Sequence, residues 1–340
     1  MKEVKIGVFK TSDSLEHALR NALNAAEWDK HIQGKVFIKP NLCAKEYIPG
    51  AVTNPQTLFH LVGLLRDNVE EVVVGESDGY NYSCDEALVK TGVKKIVNRA
   101  GGKTINLSKD ETLKIQNPSA LFLKKVMLPK TLVEADSIVS VPVMKTHEFT
   151  LYGGAIKNLF GCIPDNRRIF LHPYLDMVLC DLLTLLKPKF ALMDATVAME
   201  GNGPNRGIPI PMELVLASND LLAIDKISTE IMGINWTDVS HLHLIDKHLR
   251  PEETNIQIIG EKIETLKRPF VRPYLDLAVK AQLWVYKNYF LTRLCFGTPL
   301  FNALQTGMKI YRKIDREIKG KRWTEQYWHD PDSVEIQSFS

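Results

Sequence analysis

Short apolar runs alternate with amphipathic stretches along most of this chain. Residues 4–9 form an apolar run of strand length. Over residues 14–32, apolar side chains recur at Leu15, Ala18, Leu19, Ala22, Leu23 and Ala26. That three-and-four spacing predicts a helix buried along one face, with Ser12 or Ser14 as its cap. Residues 35–39 predict a second strand, ended by Pro40, and residues 69–75 a third. Between them, residues 55–68 predict a helix with Pro55 in its first turn. A helix over 84–92 closes at Gly92, and short strands follow over 104–107 and 122–126. Ser137–Val141 is almost continuously β-branched, the composition of a strand covered on both faces. Strands over 190–193, 212–217 and 256–259 and a helix over 221–232, closed by Gly233, complete the pattern.

This alternation predicts an α/β fold with a mostly parallel or mixed sheet, helices on both faces, and a C-terminal helical extension. The α/β core spans residues 4–265. A helical, aromatic and basic extension covers 271–328, and residues 330–340 form a polar, flexible tail. In open α/β sheets, ligands sit beyond the carboxyl ends of the strands. Four polar stretches fall at such ends: Lys39-Pro40-Asn41, Gly75-Glu76, Lys145-Thr146-His147, and the loop that runs from Asp194 to Gly207. They are expected to meet at one edge of one sheet.

Bulk composition narrows the classes little. The 340 residues are 45% hydrophobic and 24% charged, ordinary for a globular protein. A formal net charge of +3 gives no global field for nucleic acid, so any basic field is local. The five cysteines are scattered without a Cys-x-x-Cys pair, which suggests reduced thiols and a cytoplasmic location. Residues 1–5 lack the apolar core of a signal peptide. No apolar run reaches the roughly eighteen residues of a spanning helix. The nearest approach, residues 281–304, is broken by Lys287, Arg293 and Pro299.

The chemistry concentrates in one segment. Lys145, His147, Lys157 and Asn158 lie close together after the apolar run of 137–141. Cations at the end of a buried strand are costly unless an anion meets them. Lys145 and His147 are candidates to hold negative charge and move a proton, and Lys157 is a candidate ligand-binding cation. Solvated loop residues capping helices are the plain alternative. Gly153-Gly154 and Gly161 allow close backbone approach, so the turn into the next helix reads as an anion cradle. Lys39, Asn41 and Glu76 form a second group, with Glu76 either an acid/base or the counter-ion of a lysine. Asp194 and Glu200 flank a strand end as candidate ligand groups, or as turn caps. Gly203 belongs to a shaped loop beside them, read as lining the ligand site or else as a plain surface turn. Asp225, inside a predicted helix, reads as a buried partner for a backbone or lysine group. Cys43, Cys84 and Cys162 lie beside these motifs and offer a weaker metal or iron–sulfur reading. These residues do not identify a cofactor.

Several of these pieces keep a recognisable order: Phe37-Ile38-Lys39-Pro40-Asn41-Leu42, Thr53-Asn54-Pro55, Val74-Gly75-Glu76-Ser77, Pro142-Val143-Met144-Lys145-Thr146-His147, and Ile156-Lys157-Asn158-Leu159-Phe160-Gly161-Cys162-Ile163-Pro164. Met193-Asp194, Met199-Glu200-Gly201-Asn202-Gly203-Pro204 and Ala223-Ile224-Asp225 follow. Together they resemble the domain of unknown function 362 family over roughly residues 4–260. The resemblance implies a prokaryotic protein of unassigned biochemical role. Many such relatives join a ferredoxin-like module rich in cysteines. This chain has no Cys-x-x-Cys-x-x-Cys run, so an intrinsic cluster is not expected, although a separate electron-transfer partner is compatible. The expected function is an enzyme acting on a small anionic metabolite. The alternatives are a redox protein using its dispersed cysteines, or a scaffold whose C-terminal helices contact a membrane surface or a second copy.

Overall fold

A computed structural model gives the fold and describes residues 2–80, 82–250, 254–274 and 277–296. Its strands are β1 Lys2–Lys10, β2 Lys35–Pro40, β3 Glu71–Glu76, β4 Lys103–Asn106, β5 Thr112–Gln116, β6 Lys125–Pro129, β7 Ser137–Val141, β8 Val143–His147, β9 Leu151–Gly153, β10 Phe190–Glu200, β11 Ile208–Ser218 and β12 Thr254–Gly260. Ten of them form one sheet in the order β12-β1-β11-β10-β7-β2-β3-β4, with β8 beside β10 and β9 beside β8. The pairings β12–β1, β10–β7, β10–β8, β7–β2, β2–β3 and β3–β4 are parallel. Those of β11 with β1 and β10, and of β9 with β8, are antiparallel. The sheet is therefore mixed and mostly parallel, as the alternation predicts.

Strand side chains divide the core by period two. On β2, Val36 and Ile38 join one apolar cluster, and Phe37 joins the other. On β11, Val215 and Ala217 face the first cluster, and Leu214 and Leu216 the second. Helices Leu15–Ala25, Pro55–Leu65, Cys84–Lys90 and Val93–Arg99 cover the first face. Helices Leu175–Leu186, Leu221–Ile231 and Ser240–Leu249 cover the second. Ser14 caps the first helix by accepting the His17 N–H at 3.3 Å, and Asn54 caps the second by accepting that of Gln56 at 2.9 Å.

The structure departs from the sequence pattern in several places. Gly92 does close a helix, but it also opens an unexpected one, Val93–Arg99, from a left-handed φ of 79°. The expected strand at 122–126 lies at Lys125–Pro129 and pairs with β5, forming a hairpin of its own. Lys145, Thr146 and His147 lie within a strand, β8, rather than in the loop after one. Pro142 has no N–H to extend β7. The chain steps across there, the Asp194 N–H donates to the Pro142 carbonyl at 2.9 Å, and pairing resumes against β10. Among the described residues, the helical stretch of membrane-spanning length is Asn166–Leu186, with mean hydropathy 1.6 in its richest window, while part of the stretch 281–304 lies outside them. Its Leu175, Val178, Leu179, Leu182 and Leu186 are buried in the core. The C-terminal helical part begins with Leu277–Lys287 and Tyr289–Phe296. The remainder of the expected extension and the tail at 330–340 lie outside the described residues.

Candidate functional site

Strands β2, β3 and β8 end around a cavity of about 150 Å³. Asn41, Cys43, Glu76, Lys145, His147, Lys157, Asn158, Gly161, Arg168 and Pro204 are among the residues that line it. The sheet register explains the convergence. Pro40 pairs with Val141 on β7, and Glu76 ends β3 on the next strand over. Lys145 pairs with Met199 on β10, beyond the bulge between Ala195 and Val197. β10 stays paired with β11 as far as Glu200, and the loop after it brings the Pro204 carbonyl to 3.4 Å from the Lys145 nitrogen.

Lys39 is fully buried and bonds to Glu76, and it also donates to the Pro40 carbonyl at 2.7 Å. Glu76 accepts the Ser77 N–H at 3.0 Å. The only carboxylate among the described lining residues is thus already neutralised. Asn158 fixes the other side of this pair, donating to the Lys39 carbonyl at 2.8 Å and to Ser140 at 3.1 Å. A side chain at Gly161 would crowd this pair. A Cβ there would lie 2.3 Å from a Glu76 oxygen and 2.9 Å from the Lys39 nitrogen.

Among the described residues, the remaining cations meet no carboxylate. Lys145 is buried and donates to Asn41 and to the Ala51 carbonyl at 2.7 Å, with the Cys43 sulfur at 3.4 Å. Burial lowers its pKa. Among the described residues, the Lys157 ammonium meets no carboxylate and no hydrogen-bond acceptor. It lies 4.9 Å from the centre of the Phe160 ring. Burial, then the charges of Lys145 and Arg168, bring its pKa down to about 8. Among the described residues, Arg168 donates to two carbonyls, those of Ile163 at 3.0 Å and Asp78 at 2.8 Å. His147 accepts the Phe149 N–H on Nδ1 at 3.1 Å. Burial, then Lys157 and Lys145, hold the ring well below its ordinary pKa. His147 is therefore neutral, with its proton on Nε2, and offers a ligand a donor rather than a base.

The structure separates other candidates from this cavity. Asp194 is buried and accepts the N–H groups of Asn54 at 2.7 Å and Thr196 at 3.1 Å. Glu200 accepts the Val271 N–H at 2.9 Å. Both carboxylates serve the backbone and do not line the cavity. Gly203 lies behind the wall, where a Cβ would lie 1.9 Å from the Thr146 carbonyl oxygen. Gly153 and Gly154 do line the cavity, but the N–H groups of the turn after them are satisfied from within. Asp225 accepts the Ala155 and Ile156 N–H groups at 2.7 and 3.0 Å, and the Tyr152 hydroxyl at 2.9 Å. Cys84 is buried and donates to the Glu76 carbonyl, and burial lifts the Cys162 thiol to about 12. Among the described residues, no three His, Cys, Asp or Glu side chains form a metal-holding group.

Sequence reasoning missed Arg168 and Tyr82. Arg168 sits in the helical turns Asn166–Tyr174, just past the Ile163-Pro164 end of the glycine-rich motif. Its signal was the adjacent pair Arg167-Arg168. Tyr82 lines the cavity and donates to the Leu42 carbonyl. Nothing in its local sequence marks it.

Comparison with known proteins gives partial likenesses. A thylakoid-associated protein of Synechocystis sp. is 24% identical over 217 residues, covering 59% of this chain and 64% of the relative. The lactate racemase apoprotein of Thermoanaerobacterium thermosaccharolyticum superposes with a TM-score of 0.40 at 15% identity, covering 59% of this chain and 51% of that one. A Thermotoga maritima protein superposes with a TM-score of 0.30 at 12% identity, covering 56% of this chain and 52% of that one. This chain therefore spans less than two-thirds of the length of each. Residues 36–230, more than half of the chain, match the family described as Domain of unknown function (DUF362). The motif order, the sheet that gathers it and this match agree that the chain belongs to the DUF362 family.

Proposed function

We propose that this protein is a cytoplasmic enzyme that binds a small carboxylate or phosphate metabolite at the carboxyl edge of the sheet. One observation carries the reading: Lys145, Lys157 and Arg168 line a single cavity whose one described carboxylate, Glu76, is already held by Lys39. Three cations that meet no carboxylate among the described residues, in a partly dry site, favour an anion by charge alone. The volume, about 150 Å³, lies below the roughly 300–1,000 Å³ of sites for drug-sized ligands, which suits a metabolite of a few carbons. The unpaired thiols of all five cysteines support a reducing compartment.

The reaction class this arrangement suits is proton transfer next to the bound carboxylate. Lys157 and Arg168 hold the anion. Lys145, whose pKa burial lowers, accepts the proton from the adjacent carbon. The Nε2–H of His147 donates to the oxygen on which negative charge develops. The proton then returns to carbon in an isomerisation, or leaves with a departing group in an elimination.

A panel of small carboxylates and phosphates, read by thermal shift, tests this. The expected result is stabilisation by a subset of anions that is lost in Lys157→Ala and in Arg168→Ala. Stabilisation that persists in both variants sinks the reading. Exchange of the adjacent carbon-bound hydrogen in deuterated water, read by proton NMR on the stabilising anions, then tests the chemistry.

A further inference from the structure

Helices Leu277–Lys287 and Tyr289–Phe296 have two unlike faces. The inner face packs on the wall of the site. Tyr286 stacks on His172 with ring centres 4.8 Å apart and meets Phe149 edge-on at 5.6 Å. Phe296 stacks on Tyr286 at 5.3 Å and meets Tyr80 edge-on at 5.4 Å. Thr292 and Cys295 are buried beneath them.

The outer face is apolar and wet. Trp284 is 64% exposed and Phe290 73%. Of the nine large hydrophobic side chains exposed among the described residues, six lie between Val271 and Leu294, so the exposure is concentrated rather than scattered. The same segment is basic. Residues 277–296 hold Lys280, Lys287 and Arg293 and no acidic residue, so this short piece carries as much formal charge as the whole chain, +3. All three cations are exposed. Arg293 lies over the Tyr289 ring at 5.8 Å.

Exposed aromatic rings flanked by lysine and arginine match the boundary between lipid headgroups and acyl chains. The rings gain by leaving water, and the cations gain by meeting phosphate. A second copy fits this face poorly. A two-fold contact would set Lys280, Lys287 and Arg293 against one another, with no acidic residue on the segment to balance them. We propose that these two helices dock the protein peripherally on an anionic lipid surface, with Trp284 and Phe290 inserted and Lys280 and Lys287 at the headgroups.

Co-sedimentation of the full chain with phosphatidylcholine vesicles, with and without phosphatidylserine, tests this. The wild type is expected to bind the serine-containing vesicles and to be released by salt. Trp284→Ala with Phe290→Ala should weaken binding about tenfold or more. Lys280→Ala and Lys287→Ala should each weaken it about fivefold. Unchanged melting temperatures show that these exposed substitutions leave the fold intact. Wild type that ignores phosphatidylserine, or an aromatic variant that binds as well as wild type, overturns the proposal. So does a wild-type dimer that the aromatic variant splits, because that gives the face to a second copy.

Discussion

Lys157 is the residue on which the site's electrostatics turn. Its pKa of about 8 lies below its ordinary value of 10.5 because burial and two neighbouring cations oppose its charge. A depressed folded value contributes stability that is complete above 10.5 and is lost as pH falls through about 8. A bound anion reverses the penalty and draws a proton onto the amine. Calorimetric titration near pH 8, in buffers of different ionisation heat, should therefore show proton uptake on anion binding. Affinity should fall as pH rises above 8. Lys157→Arg should bind without that proton uptake, since a guanidinium stays charged. Asp225 gives a second prediction at this scale. Asp225→Ala strands the Ala155 and Ile156 N–H groups at the start of the turn that carries Lys157, at a cost of about 3 kcal/mol in denaturant unfolding. It should weaken anion binding as well. Lys145, Lys157 and Asn158 were legible in the sequence, because charged and amide groups after an apolar strand need partners. Asp194 and Glu200 were not. Their partners are backbone N–H groups of residues 54 and 271, and no local pattern announces a contact across such separations.

At the scale of elements, strand cores were legible and their ends were not. The apolar runs at 35–39 and 137–141 are strands because both faces of the sheet are covered there. The extension of β10 to Glu200 and the whole of β8 escaped, because polar residues such as Lys145 and Thr146 do not look like a buried strand. They tolerate burial since each has partners: Asn41 and the Ala51 carbonyl for Lys145, and the Gly201 carbonyl at 2.8 Å for Thr146. The turn Leu159–Cys162 packs just as closely. Gly161→Ala would press a methyl group into the Lys39–Glu76 pair. It should lower stability by about 1–3 kcal/mol in denaturant unfolding and lose anion-induced stabilisation. A variant as stable as wild type would show that the pair can move aside.

Across the whole molecule, the sheet order does the assembling. β2, β3 and β8 come from segments up to about a hundred residues apart in the chain, yet their ends enclose one cavity. The loop after β10 contributes Pro204 to it. The alternation of strands and helices made that edge legible in advance, because a mostly parallel sheet places its strand ends together. Arg168 was beyond reach, since it arrives from helical turns whose docking depends on tertiary packing. The central claim is that the cavity selects negative charge. It is tested most directly by comparing, through the melting temperature, a three-carbon carboxylate with its neutral amide, in wild type and in Lys157→Met. The account predicts stabilisation by the carboxylate alone, worth about 2.7 kcal/mol at a hundred times Kd, and none in the variant. Equal stabilisation by the amide, or full stabilisation of Lys157→Met by the carboxylate, would contradict it.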